Sequence, residues 1–161
     1  MGTGMGTALR LEPAAPALDE RDLMRLTNNE LDDVFRANPA EPLPAGVHRG
    51  TALIFNGTLA CRIIAKLAYL FVWQGKRVDL DGRALVNRIT PFRLPLIRAL
   101  VSRDDAWVDG QACTLLDYSK TSLVAKMVRD ETRLVAPGLQ LGVVWLWRRR
   151  VAWFTLRAPR S

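Results

Sequence analysis

The chain has 161 residues, enough for one domain with a terminal appendage and too few for two full domains. Its 49% hydrophobic and 24% charged residues exclude a wholly disordered, collagen-like or coiled-coil chain. Two cysteines, Cys61 and Cys113, are too few for a disulfide-built scaffold, and the single His48 excludes a His-rich metal site. The net charge of +7 divides unevenly: residues 1–50 hold five Lys/Arg against eight Asp/Glu, and residues 51–161 hold eighteen against eight. A basic body behind an acidic front segment can attract an anionic partner or pair with itself.

Residues 1–18 read as a flexible tail of Gly, Thr, Ala and Pro. They lack the basic start and apolar run of an export signal, so a cytoplasmic location is expected. Residues 19–49 read as a helix and a Pro-rich connection. Leu23, Leu26, Leu31, Val34 and Phe35 approximate one helical face from Asp19 to Ala37, with Asp19, Glu20 and Asp22 at the favoured end of the dipole. Asn38-Pro39 ends this helix, and Pro42, Pro44 and Gly46 carry an extended connection in which His48 is expected at the surface or in a local turn bond.

Residues 50–161 read as a ligand-binding β-barrel. Thr51 to Phe55 is a short strand closed by Asn56-Gly57, and Thr58 can cap a helix from Leu59 to Trp73. That helix is apolar nearly all round but carries Arg62 and Lys66 and is too short for a bilayer, so it is expected to be buried. Val78–Leu80, Ala84–Ile89, Leu94–Val101 and Ala112–Tyr118 follow as strands, with turns at Asp81-Gly82 and over Asp104–Gly110. Thr121 to Val135 fits neither strand nor helix period cleanly. Leu139–Trp147 and Val151–Arg157 form a hairpin across Arg148-Arg149-Arg150. About seven short strands without crossover helices predict an α+β chain built on an antiparallel barrel of six to eight strands.

No Gly-rich phosphate loop, nucleophile elbow or metal signature is present, so no cofactor is expected. The polar run Asp117-Tyr118-Ser119-Lys120-Thr121-Ser122 is the first candidate site. Read as a strand, it sends Asp117, Ser119 and Thr121 to one face and Tyr118, Lys120 and Ser122 to the other. An ammonium beside a phenol lowers its pKa, which suits Tyr118 to proton transfer; the competing reading is a strand end with a solvated lysine.

In the second cluster, alternation puts Arg129, Glu131 and Arg133 on one face with Asp130 opposite. Such a ladder serves either as a structural ion-pair network on a solvated face or, turned inward, places Glu131 as a general base. Trp73, Trp107, Trp145, Trp147 and Trp153 lie among Val, Leu and Ala, which favours core or pocket packing over nucleic-acid stacking.

The segments Trp73-Gln-Gly-Lys76, Val86-Asn-Arg88, Leu116-Asp-Tyr-Ser-Lys-Thr-Ser122, Arg129-Asp-Glu131 and Val135-Ala-Pro-Gly-Leu139, with Leu141-Gly142 behind them, resemble an uncharacterised bacterial family of small proteins. The resemblance runs from Gly50 to Arg157. Its layout is similar to lipocalin-like (calycin) barrels, which implies a barrel enclosing apolar small molecules.

The functional expectation is therefore an apolar small molecule bound in the barrel. Arg88, Ser119, Lys120, Trp73, Trp145 and Arg129 would bind it. Tyr118, Asp117 and Glu131 would act as acid and base if the protein is a cofactor-independent cyclase or isomerase. A non-catalytic carrier of a lipid or other hydrophobic ligand is the alternative, and weak contact of Arg148–Arg150 with an anionic membrane is a third reading. Nucleic acid is not an expected partner, and oligomeric state is not readable from the sequence.

Overall fold

The computed structural model describes residues 18–53, 72–90, 97–121 and 125–159, with side chains left aside at 72–74 and 88–90. Eight strands run antiparallel in chain order: β1 (Gly46–Leu53), β2 (Val72–Val78), β3 (Ala84–Thr90), β4 (Arg98–Asp105), β5 (Ala112–Asp117), β6 (Val128–Ala136), β7 (Leu139–Leu146) and β8 (Arg149–Arg157). Pairing of β1 with β8, from Arg49↔Arg157 to Leu53↔Trp153, closes the sheet into a barrel. The expected α+β barrel is the observed fold. Closure removes the exposed edges that an open sheet would present.

Within Thr121 to Val135, residues 125–127 form a turn and 128–135 belong to the strand β6. β4 extends to Asp105, into the expected turn. β1 begins at Gly46, so His48 is a buried strand residue rather than part of a surface connection; its Nε2 lies 2.7 Å from the Pro44 carbonyl. The expected helix falls outside the described residues up to position 71, and its last two positions, Val72 and Trp73, belong to β2.

The single N-terminal helix expected over Asp19–Ala37 is instead two, α1 (Glu20–Leu23) and α2 (Asn28–Arg36). Each starts with a capping box, Asp19 with Asp22 and Thr27 with Glu30, so the second box ends one helix and nucleates the next. Their buried residues Leu23, Leu31 and Phe35 cluster with Leu139, Leu141, Val143 and Trp153, which fixes that side of β7 and β8 as the outer face.

The alternate residues therefore line the interior. Val78, Leu85, Ala99, Leu116, Phe154 and Leu156 form a second apolar cluster there, with Leu43 of the Pro-rich segment. That segment enters one end of the barrel, where the Glu41 carbonyl accepts from Thr114 Oγ1 (2.8 Å) and Gln140 Nε2 (3.1 Å). Two glycines permit close approaches within the barrel wall. A Cβ at Gly142 would collide with the Phe154 ring, and one at Gly75, where φ is +121°, would meet the His48 carbonyl.

Candidate functional site

Among the aliphatic side chains of the inner wall stands one charged, hydrogen-bonded cluster. Lys76 of β2, Asn87 of β3, Tyr118 at the end of β5 and Asp130 of β6 are all buried. Register explains part of the meeting: Lys76 is the cross-strand partner of Asn87, and Asp130 pairs with Leu116, two positions before Tyr118. The ammonium of Lys76 donates to Asp130 Oδ2 at 2.8 Å, to Asn87 Oδ1 at 3.0 Å and to the Tyr118 hydroxyl. Tyr118 in turn donates to Asp130 Oδ2 at 2.9 Å and accepts from Asn87 Nδ2 at 3.2 Å. Lys76 Nζ also stands 5.3 Å from the centre of the Phe154 ring and 5.2 Å from that of Tyr118.

Burial, and after it the Asp130 carboxylate, push the Tyr118 phenol well above its ordinary value, outweighing the hydrogen bond from Asn87. Tyr118 is therefore a neutral hydrogen-bond donor at ordinary pH. The second oxygen of the carboxylate, Asp130 Oδ1, is buried and has no hydrogen-bond partner. Buried polar atoms are nearly always bonded, and this is one of several exceptions among the described residues.

Of the run Asp117–Ser122, whose last residue lies outside the described ones, Tyr118 alone among the described residues is placed in this cluster. β5 ends at Asp117, which accepts the Ser119 backbone N–H at 2.8 Å, and Ser119 and Lys120 are exposed in the following turn. The two alternating faces expected of a strand through this run are thus not formed at 119–121, because a turn replaces the strand there. The side chains of Trp73 and Arg88 lie outside the described residues.

Glu131, Arg129 and Trp145 lie on the outer face, remote in orientation from the cluster. Glu131 Oε1 accepts from Arg129 Nε at 2.7 Å and from the Trp107 backbone N–H at 2.9 Å. Trp107 lies between the guanidinium groups of Arg129 and Arg148, each 4.6 Å from its ring centre, and packs edge-on to Trp145. Arg133 reaches Asp109 through two bonds of 2.8 Å and the Phe35 carbonyl at 3.0 Å. The ladder is therefore a buried ion-pair network beneath α2 and the β4–β5 loop, not a solvated face, and it places no general base in the barrel.

The arginine tip is also smaller than expected. The β7–β8 turn is Trp147-Arg148, both with positive φ, and Arg149 and Arg150 begin β8. Arg150 bonds to Asp32 at 2.5 Å.

Sequence reasoning missed Lys76, Asn87 and Asp130 as site residues. They lie on three different strands, and no short window of sequence joins them.

No protein-family model matches the chain, and no curated protein matches it. Among solved structures, one described as a protein from Thermomonospora curvata aligns over 84% of this chain and 89% of its own, with a TM-score of 0.57 and 17% identity. At that identity the likeness is one of fold. No helix among the described residues is long and apolar enough to cross a membrane.

Proposed function

We propose that the barrel binds an apolar small molecule whose polar end is held by the Lys76–Asn87–Tyr118–Asp130 cluster. The observation that carries this reading is the cluster itself, a bonded charge pair on the inner wall beside a cluster of Leu, Val, Ala and Phe. Burying such a pair is costly, and well-packed apolar side chains would serve stability as well or better. Binding sites of this composition are mainly apolar with a few convergent polar groups. An eight-stranded barrel has an interior of the size that small-ligand carriers use, and the uninterrupted up-and-down strand order supports the lipocalin-like reading.

The same atoms suit a cofactor-independent cyclase or isomerase, with Asp130 taking a proton from the substrate and Tyr118 giving one back to it, in place of the Asp117 and Glu131 roles first expected. Solvent extraction of the purified protein, and calorimetric titration with short-chain apolar molecules, test the binding. A recovered or titrated ligand is the expected result, and no binding of any apolar probe would overturn it. Incubation with the recovered ligand then separates a carrier, which returns it unchanged, from an enzyme.

A further inference from the structure

We infer that the ligand is a neutral apolar molecule carrying a hydrogen-bond donor, a hydroxyl or an N–H, which it gives to Asp130 Oδ1. This rests on the binding reading above and names its chemical class. Three hydrogens of the Lys76 ammonium go to Asn87 Oδ1, Tyr118 Oη and Asp130 Oδ2, and the Tyr118 hydroxyl hydrogen goes to Asp130 Oδ2. Asn87 Nδ2 gives to Tyr118 Oη and to the Ile97 carbonyl, so these donors are engaged, and the cluster's unpartnered atom, Asp130 Oδ1, can only accept.

One further inward-facing group has the same polarity, and Thr132 Oγ1, also inward and unpartnered, can accept as well as donate. Gln140 gives its Nε2 to the carbonyls of Glu41 and Pro42, which fixes the amide orientation and leaves Oε1 as an unpartnered acceptor. Charge argues the same way. Lys76 and Asp130 cancel each other, so a carboxylate ligand would bring an unneutralised charge beside Asp130, whereas an alcohol brings none.

The test uses isomers that differ in the donor alone. Octan-1-ol and heptyl methyl ether have the same atoms and nearly the same shape, and octanoate adds the anionic case. Calorimetric titration of the wild-type protein should give octan-1-ol a Kd about ten- to a hundredfold below that of the ether, the range expected for one bond to a charged acceptor. Octanoate should be weaker than the alcohol.

In Asp130→Asn, Lys76 and Tyr118 require an oxygen where Oδ2 now stands, so the amide must turn its NH2 toward the ligand. The alcohol and the ether can both accept from it, and the discrimination should collapse to within about threefold. Should that variant not fold, the wild-type series decides alone. Equal affinity for alcohol and ether, or tightest binding of octanoate, overturns the donor assignment and leaves the apolar site standing. No binding by any of the three overturns both.

Discussion

Lys76 and Asp130 stand 54 positions apart in the chain and 2.8 Å apart inside the barrel, each with a side chain almost wholly out of water. Removing one partner leaves the other charge buried and uncompensated. Lys76→Met should therefore cost about 3–5 kcal/mol in urea denaturation. The double variant Lys76→Met/Asp130→Leu should lose clearly less than the two single changes together, by at least about 2 kcal/mol. Simple additivity would mean that the pair is not coupled.

Tyr118 makes the alkaline limb of stability diagnostic. Its phenol is held well above 10.0 in the folded protein and titrates normally once unfolded. A group with a raised folded pKa contributes stability that is complete below the unfolded value and is lost as pH rises above it. The stability gap between wild type and Tyr118→Phe should be constant from pH 8 to about 10 and narrow above that. A gap that widens with rising pH would contradict the placement.

Arg133 is a fork with every prong occupied, by Asp109, Phe35, Ala112 and Gln111. Lysine cannot reproduce that geometry, so Arg133→Lys should cost about 3 kcal/mol despite keeping the charge. Burial pushes the Asp109 carboxyl up, but the Arg133 hydrogen bonds, the Gln111 N–H and the arginine charge outweigh it and hold the group below 3.8. The contribution of Asp109 is thus present above that pH and lost on acidification below it. Thermal scans of the wild type and Arg133→Lys should converge in strong acid.

Trp147 occupies a left-handed conformation with φ of 47° at the β7–β8 turn, a position that favours asparagine, and its side chain is 68% exposed. Trp147→Asn should stabilise the protein by about 1 kcal/mol, since little packing is lost and backbone strain is relieved. A fall in Tm would show that the indole makes contacts that its exposure conceals.

Cys113 sits beneath the helices with its thiol pushed up to about 12, first by burial and then by the Glu131 carboxylate. In a Cys61→Ser background it should resist maleimide at pH 8 until denaturant is added. Rapid labelling of the native protein would place the thiol at the surface.

Strands were legible where they alternate locally, as in β7, where Leu139, Leu141 and Val143 face the helices while Gln140 and Gly142 face inward. The break between α1 and α2 was also written locally, in Thr27-Asn-Asn-Glu30, but the apolar period running through it masked the second cap. The polar cluster had no local mark. Lys76 is an isolated lysine in its strand, and its partners arrive only when β3, β5 and β6 wrap around the same axis. Arg129, Glu131 and Arg133 read as a solvated ladder because charge alternation does not reveal that α2 and Trp107 will cover it. Side chains buried by distant segments are invisible to any short window of sequence.

The seam between β1 and β8 sets the order of assembly. Leu53 waits for Trp153, a hundred positions later, whereas every other strand finds its partner in the next strand along. During synthesis β1 therefore emerges with one side unmatched and keeps it so until the last strand leaves the ribosome. Over that interval the nascent chain has two open flanks, and the loop-closing step that ends it carries the largest entropic cost of the fold. Chaperone demand, and sensitivity to stalled translation, should concentrate in that final stretch.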